Sequence, residues 1–341
     1  MALDRRLVRA PAFPPVEWLN AESAPTLAGL RGHPVLIEFW DFTCINCLRT
    51  LPYLRDWTDR YHPAGLRVLG VHTPEFRFAR SARHVREAIG RLGIVWPVAL
   101  DNDQAAWTAF ATRAWPTLVL VDGDGYVRFR HVGDRSLPEF ERLIRALITE
   151  TGGPDLDMPV AAGSLLPQDA AGAVCLPATA ELQVDSIGNG PASESEATTF
   201  AIPSERTDGR FYLEGSWRRR DDGLTLEAGA GAIILPFHAA AVHAVLSSGG
   251  DLETDPQQTM RAEATLDGHP IQEGVFGSDL LRRSGATVVL VDRPRAYHLL
   301  HDLDPEAHEL RLAFAEPGLT FYAFSFSPCV SAAPEPRSSP C

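Results

Sequence analysis

Two cysteines separated by two residues, Cys44 and Cys47, are the residues of this sequence best suited to chemistry. A cysteine thiolate attacks a disulfide to form a mixed disulfide, and a second thiol can then attack that intermediate and release the product as a dithiol. Residues three apart lie on one face of a helix, so this spacing lets the two sulfurs meet. The sequence therefore predicts a redox pair in which Cys44 is the nucleophile and Cys47 resolves the mixed disulfide.

The segment around this pair predicts a strand that runs directly into a helix. An apolar, β-branched run at 35–40 is typical of a buried strand, and Leu48, Leu51 and Leu54 follow at helical spacing. The cysteine pair therefore lies at the start of the helix. Unpaired backbone N–H groups and the positive end of the helix dipole at that position favour a thiolate over a thiol.

Composition and charge indicate an ordinary globular chain of roughly two domains. The 341 residues are 45% hydrophobic and 22% charged, with a formal net charge of −13 and no lysine. Residues 1–150 carry 19 Arg against 17 acidic residues, whereas residues 151–341 carry 12 Arg against 27 acidic residues. Nucleic acid and anionic membranes are therefore poor partners for the second half.

The sequence contains no apolar run of signal-peptide or membrane-spanning length. As written, it predicts a cytoplasmic protein in a reducing compartment, and an extracytoplasmic location stays open if an export signal is missing. Five cysteines are too few for a disulfide scaffold. Cys175 and Cys329 could pair if oxidised, but isolated buried thiols are the expectation, and Cys341 ends a tail predicted to be flexible.

Residues 1–150 alternate between strand and helix patterns, which predicts a mixed α/β domain of order β-α-β-α-β-α-β-β-α. The predicted elements are a strand at 35–40, a helix from 44 to about 61, a strand at 66–72, a helix at 81–92, a strand at 97–100, a helix through Trp107 and Phe110, a hairpin of 117–122 with 126–132, and a helix at 137–148.

The second half predicts a linker at 151–199, an all-β jelly-roll or β-sandwich domain at 200–330 and a flexible tail at 331–341. The linker is rich in Gly, Ala, Pro and Ser, and its end at 188–199 is acidic. Beyond it, short alternating segments are separated by turn residues. These predicted strands cover 231–238, 241–247, 260–266, 286–291, 296–301, 308–314 and 319–327.

The N-terminal pattern resembles the thioredoxin fold, and in particular the TlpA/DipZ-like branch of thiol-disulfide oxidoreductases. The resemblance rests on FWDFTCINCLRTLPYL at 39–54, on GVHTPEF at 70–76 and on Trp115-Pro116-Thr117 ahead of the hairpin. It covers about residues 30–150. It implies a domain that uses the Cys44–Cys47 disulfide with no other cofactor. It favours a reductant of protein disulfides and leaves oxidase activity as the alternative.

The resemblance also implies roles for residues near the pair. Glu38, six positions before Cys44, matches a buried acid on the central strand whose raised pKa would make it a base for the Cys47 proton. Pro116 matches a cis-proline beside which the backbone binds the substrate chain. The alternatives are a Glu at the edge of the strand and an ordinary trans-proline.

Four more residues are expected to position the substrate, namely Trp40, Thr43, Trp115 and Glu75. Core packing is the alternative for Trp40, and a solvated loop side chain is the alternative for Glu75.

In DipZ-like proteins, a jelly-roll module similar to carbohydrate-binding domains follows the thioredoxin domain. Residues 211–217 and 321–326 resemble its first and last strands. The expected partners are therefore protein disulfides, an upstream reductant and a glycan or protein ligand of the second domain. Trp217, Tyr297 and Tyr322 could stack on a sugar ring, although aromatic residues on sandwich strands belong more often to the core.

Other functions stay open at this point. One is a binding module with an auxiliary redox domain, and another is a thiol peroxidase. A peroxiredoxin-like site would have Thr three residues before the reactive cysteine, where this sequence has Asp41, with Thr43 directly adjacent to Cys44. A zinc site would need a second cysteine pair at ligand spacing, which the isolated remaining cysteines do not provide.

Overall fold

The computed structural model describes residues 8–154, 156, 173–249, 259–304 and 306–330. The chain divides into two compact units, Met1–Leu165 and Leu166–Cys341. The predicted tail at 331–341, with Cys341, lies outside the described residues. Within the described part of the chain, no helix is both long enough and apolar enough to cross a bilayer.

The first unit is a seven-stranded mixed sheet with four helices. Its strands are β1 (Val8–Arg9), β2 (Trp18–Leu19), β3 (Val35–Trp40), β4 (Arg67–His72), β5 (Val98–Leu100), β6 (Thr117–Val121) and β7 (Tyr126–Val132). Its helices are α1 (Ile45–Tyr61), α2 (Ala82–Leu92), α3 (Ala105–Ala109) and α4 (Leu137–Glu150), with a 3-10 turn at Arg77–Arg80. The strands lie in the order β1-β7-β6-β3-β4-β5-β2.

Strand β3 is the centre of this sheet and delivers the chain to the redox pair. All six of its residues are buried, since it pairs in parallel with β4 on one side and antiparallel with β6 on the other. Burial on every side favours apolar side chains, which explains why five of its six residues are hydrophobic and makes the buried Glu38 an exception. The predicted α/β order is confirmed, with β1 and β2 as additional edge strands too short to show a pattern.

The second unit is all-β, as predicted. Its strands are β8 (Val174–Cys175), β9 (Leu182–Gln183), β10 (Thr198–Phe200), β11 (Tyr212–Arg220), β12 (Gly223–Phe237), β13 (Ala241–Ser248), β14 (Met260–Leu266), β15 (His269–Pro270), β16 (Leu280–Arg283), β17 (Ala286–Val291), β18 (Arg295–Leu300), β19 (His308–Phe314), β20 (Leu319–Ser327) and β21 (Cys329–Val330). Short 3-10 turns occupy Val184–Ser186 and Glu273–Val275.

Hydrogen bonds connect twelve of these strands into one sheet around a hydrophobic core. The long strand β12 pairs with β20 near its start and with β19 over its second half. Trp217, Tyr297 and Tyr322 are buried in this unit. The core alternative is therefore confirmed for all three, and none of them forms a surface for stacking on sugars.

The predicted linker needs correction from residue 173 onward. Strand β9 pairs with β20, and β10 pairs with β11, so both belong to the second unit although they fall within 151–199. Strands of two or three residues are too short for alternation to distinguish them from a loop. Residues 155 and 157–172 of the predicted linker lie outside the described residues.

The second unit contains a disulfide between Cys175 and Cys329, so the expectation of isolated thiols is wrong. The two residues face one another across the antiparallel pair β8 and β21. The bond closes a segment with a sequence separation of 154, which contains nearly the whole unit. The sequence raised this pairing only as an alternative, because choosing it requires knowing that these two distant segments of the unit meet.

We expect loss of this disulfide to destabilise the second unit by about 2 to 4 kcal/mol, since cross-linking a long segment restricts the unfolded chain. The double variant Cys175→Ser/Cys329→Ser should show faster amide hydrogen exchange in β12, β19 and β20 under non-reducing conditions. Cys341→Ser, which leaves both disulfides intact, is the control. Unchanged exchange in the double variant would contradict the expectation.

Candidate active site around Cys44 and Cys47

The redox pair lies at the first turn of α1. Cys44 is the N-cap residue, and its Sγ accepts a hydrogen bond of 3.2 Å from the backbone N–H of Cys47. A disulfide joins the two residues, whose Cα atoms are 5.3 Å apart. Cys44 is half-buried, whereas Cys47 has no exposed surface. An incoming thiolate can therefore reach the Cys44 sulfur only, and the helix start stabilises negative charge on that sulfur after reduction.

Glu38 lies on β3 and is completely buried, which excludes the alternative of a strand-edge side chain. Burial raises the pKa of its carboxyl group from 4.5 to about 8, and a hydrogen bond with Thr50 opposes part of that rise. Thr50 Oγ1 lies 2.6 Å from Glu38 Oε1 and 2.7 Å from the carbonyl oxygen of Cys47. One hydroxyl group thus joins the buried acid to the helical turn that carries Cys47.

Asp41 fixes the two loops that border the redox pair. Its Oδ1 accepts hydrogen bonds from the backbone N–H of Thr43 at 2.6 Å and from the Thr43 hydroxyl at 2.5 Å. Its Oδ2 accepts one from the backbone N–H of Glu75 at 2.9 Å. Thr43 is buried and Glu75 is half-buried. Sequence reasoning overlooked Asp41 as an organising residue, although an Asp with a Thr two residues later is a common local turn pattern.

His72, at the end of β4, is a second buried polar residue that sequence reasoning missed. Its ring lies between Trp40 and Phe42, with centroid distances of 5.3 and 5.4 Å, and its Nε2 is 3.6 Å from Asp41 Oδ2. Burial lowers the pKa of His72, so the ring is neutral at pH 7. The Trp40 ring is also fully buried, which is the core-packing alternative for that residue.

The bond between Trp115 and Pro116 is cis, which confirms that prediction. Pro116 is buried, and its carbonyl oxygen accepts a hydrogen bond of 2.9 Å from the backbone N–H of Gly133. The half-buried Trp115 ring packs on Trp107, with 4.4 Å between centroids. These contacts hold the segment before β6 in a fixed conformation.

An ion pair connects the start of α1 to the loop after β7. Arg49 Nη1 lies 3.2 Å from Asp134 Oδ2 and also donates to the side-chain oxygen of Asn46 at 3.1 Å. Gly133, whose N–H binds the Pro116 carbonyl, directly precedes Asp134. Arg49 therefore links the redox motif to the loop that supports the cis-proline. Sequence reasoning missed this pair because its members are distant in the chain.

Among the described residues, no cluster of three or more His, Cys, Asp or Glu side chains is arranged to hold a metal ion. The expectation that the site needs no metal or other cofactor stays a prediction.

Comparison with known proteins identifies relatives of both units. A family profile described as Redoxin matches residues 9–144, and a profile described as Thioredoxin like C-terminal domain matches residues 180–327. Protein DipZ of Mycobacterium tuberculosis is 33% identical over 268 residues, which cover 77% of this chain and 38% of DipZ. The chain thus spans about two fifths of the length of that relative.

Shorter relatives match a smaller share of the chain. Thiol-disulfide oxidoreductase YkuV of Bacillus subtilis is 27% identical over 135 residues, or 39% of this chain and 89% of YkuV. Among solved structures, the thioredoxin-like superfamily protein SPOA0173 is 27% identical, with a TM-score of 0.40, and the match covers 42% of this chain and 97% of that one.

The two profiles match consecutive parts of the chain in the order of its two units, and the DipZ alignment extends across both. A Cys44–Cys47 disulfide stands at the start of α1, where the resemblance requires it. The first unit therefore has the thioredoxin fold of the Redoxin profile, and across both units the chain is similar to thiol-disulfide oxidoreductases of the DipZ-like type.

Proposed function

We propose that this chain reduces or exchanges disulfides of protein substrates, with Cys44 as the nucleophile and Cys47 as the resolving thiol. The observation that supports this assignment most directly is the difference in exposure between the two sulfurs. Cys44 is accessible and caps a helix, whereas Cys47 is buried. Only the first can meet a protein disulfide, and only the second is protected from competing reagents while it waits.

In the reducing direction, the Cys44 thiolate attacks one sulfur of the substrate disulfide. A bond forms between the Cys44 sulfur and that sulfur, and the other substrate sulfur leaves as a thiolate. Cys47 then loses its proton to the Glu38 carboxylate and attacks Cys44 Sγ. This step forms the Cys44–Cys47 disulfide and releases the second substrate sulfur, so the substrate gains two electrons and the enzyme loses two.

Regeneration runs these steps in reverse. A dithiol reductant attacks Cys44 Sγ in the disulfide form, Cys47 leaves, and the protonated Glu38 supplies the proton that Cys47 needs. The raised pKa of Glu38, about 8, supports this role because the group is an acid at pH 7 and can still ionise near that pH. The chain therefore requires an upstream dithiol donor as its second partner.

The backbone beside Pro116 is the proposed binding site for the substrate chain. Trp115 and the loop at Gly133 border this segment and hold it rigid. Thr43 and Glu75 contribute through Asp41, which ties their loops together. In this arrangement, the loops that carry Thr43 and Glu75 border the redox pair.

Peroxidase activity receives less support. The Thr43 hydroxyl donates to Asp41 Oδ1, so its proton is engaged away from Cys44. A peroxiredoxin-like site would direct such a donor at the peroxide. A protein or glycan ligand for the second unit also stays a proposal, and the burial of Trp217, Tyr297 and Tyr322 lends a glycan no support.

The compartment is a further proposal. Disulfides persist in oxidising environments and are rare in reducing ones. The Cys175–Cys329 bond, which joins the two ends of the second unit, supports an extracytoplasmic location, the alternative that the sequence left open, over the cytoplasm. Measuring the oxidation state of these two cysteines in intact cells by differential alkylation tests the choice.

Trapping a mixed disulfide tests the proposed function. We expect the full-length Cys47→Ser variant, incubated with insulin, to form a covalent complex through Cys44, because the second attack is removed while the first is retained. Peptide mapping should place the bond at Cys44, and dithiothreitol should release the insulin chain. The double variant Cys44→Ser/Cys47→Ser is the matched control. Equal capture by the double variant, or a bond mapped elsewhere, would refute the assignment.

A further inference from the structure

Thr50 makes two short contacts through one hydroxyl group. Its Oγ1 lies 2.6 Å from Glu38 Oε1 and 2.7 Å from the Cys47 carbonyl oxygen, and both neighbours are acceptors when Glu38 is ionised. A hydroxyl group has one proton to donate and lone pairs with which to accept. Each contact has a proton of its own when the Glu38 carboxylic acid donates to Thr50 and Thr50 donates to the Cys47 carbonyl. The geometry therefore fits a protonated Glu38 opposite the Cys44–Cys47 disulfide.

When Glu38 loses its proton, the hydrogen bond between Glu38 and Thr50 must reverse, with Thr50 becoming the donor. A buried carboxylate without a donor is strongly disfavoured, and Thr50 is the side chain bonded to Glu38. Rotation of the hydroxyl turns its proton from the Cys47 carbonyl to the carboxylate. That carbonyl lies within the ladder of α1, so an N–H four residues ahead can still serve it.

Among the described residues, no charged side chain contributes to the shift in the Glu38 pKa. Across the sheet, Glu38 faces Gly70 on β4 and Leu118 on β6, neither of which titrates. On the α1 side, Glu38 contacts Thr50. The titratable residue in that turn of α1 is Cys47, which exchanges the proton with Glu38 in the proposed mechanism. Burial and the Thr50 hydrogen bond account for the shift in the Glu38 pKa.

We propose that Thr50 is a positioning residue for proton transfer between Glu38 and Cys47: its hydroxyl accepts a hydrogen bond from the Glu38 acid in the disulfide form and donates one to the carboxylate once the proton has left. This inference rests on the proposed function, because it assigns the proton of the resolving step. The Thr50 hydroxyl group stabilises the ionised form of Glu38. Without this hydrogen bond, the buried acid would hold its proton too tightly to exchange it near neutral pH.

The test is a titration of the Glu38 carboxyl group by carbon-13 NMR in the oxidised protein, where neither cysteine of the pair titrates. We expect Thr50→Val to raise the pKa of Glu38 by about one to two units relative to wild type, because the donor to the charged form is lost. Thr50→Ser, which keeps the hydroxyl, should titrate as wild type. Thr50→Ala gives the same comparison if the valine variant does not fold.

Thr58→Val is the matched control, since Thr58 Oγ1 donates to the Leu54 carbonyl at 2.6 Å on the same helix. It should leave the Glu38 titration unchanged. Stopped-flow measurement of thiol release from a mixed disulfide with Cys44 gives the rate of the resolving step at each pH. The midpoint of that pH–rate profile should move upward in Thr50→Val by the same amount as the Glu38 pKa. Thr58→Val should not move it.

Identical titrations for Thr50→Val, Thr50→Ala and wild type would overturn the inference. The titration needs no turnover, so it separates this inference from the proposed function. Failure of the wild-type chain to reduce insulin would refute the proposed function, whereas unaltered Glu38 titration in the Thr50 variants would refute only the role of Thr50.

Discussion

Cys44→Ser is expected to lower the rate of dithiothreitol-dependent insulin reduction to the uncatalysed level, a loss of about a thousandfold or more. The reason is chemical. A serine hydroxyl is neither ionised near neutral pH nor able to form a disulfide, so neither the first attack nor the regenerating step can occur. The remaining thiol of the redox pair, Cys47, is fully buried and cannot meet a protein substrate.

Cys47→Ser should behave differently, and this difference makes the prediction specific. Its exposed Cys44 can still attack, so a single-turnover experiment should release one equivalent of substrate thiol and then stop. The double variant Cys175→Ser/Cys329→Ser should keep Cys44-dependent turnover, since it leaves the redox pair untouched. Quenched-flow measurement of thiol release checks all three variants. Steady turnover by Cys44→Ser would contradict the assignment of the nucleophile.

The determinants of the redox pair are local, which is why the sequence was sufficient to predict it. The apolar run at 35–40 can only be a covered strand, and the leucines after Cys47 can only line a helix. The strand-to-helix junction then places both cysteines without further information. The same holds for the strands of the second unit that are long enough to alternate, such as β14 and β19.

The contacts that tune the site are not local, and they were not predictable. Asp41 reaches Glu75 across 34 residues, and Thr50 reaches Glu38 across 12 residues and between two elements. Neither pairing leaves a periodic signal. Strand β16 was missed for a related reason, because Leu280 and Leu281 followed by two Arg residues do not alternate.

The stability of the oxidised protein is expected to fall by about 4 kcal/mol as pH rises from 4 to 9 on account of Glu38 alone. Its pKa is about 8 in the folded chain, against 4.5 as the ordinary value. Below 4.5 the group is protonated in both states and favours neither. Between 4.5 and 8 the unfolded chain releases the proton while the folded chain keeps it, so stability declines through this window and levels off above it.

Glu38→Gln removes the titration and should remove that decline. The quantity to measure is the difference in the free energy of unfolding between variant and wild type at each pH, from urea denaturation without reductant. His72 contributes with the opposite sign below its ordinary pKa, since its folded pKa is lowered by burial. That contribution cancels in the difference because both proteins contain it. The variant should therefore gain about 4 kcal/mol on wild type between pH 4 and pH 9.

Glu17→Gln is the matched control, because it changes an exposed carboxyl group. Glu17 lies 3.4 Å from its partner Arg86, which is also largely exposed. Exposed pairs of this kind contribute less than about 1 kcal/mol to stability, so Glu17→Gln should change the free energy of unfolding by no more than that. A difference for Glu38→Gln that stays flat with pH would mean that Glu38 ionises as readily in the folded chain as in the unfolded one. In that case, the acid could not hold the proton that Cys47 needs when the disulfide opens, and another group would have to supply it.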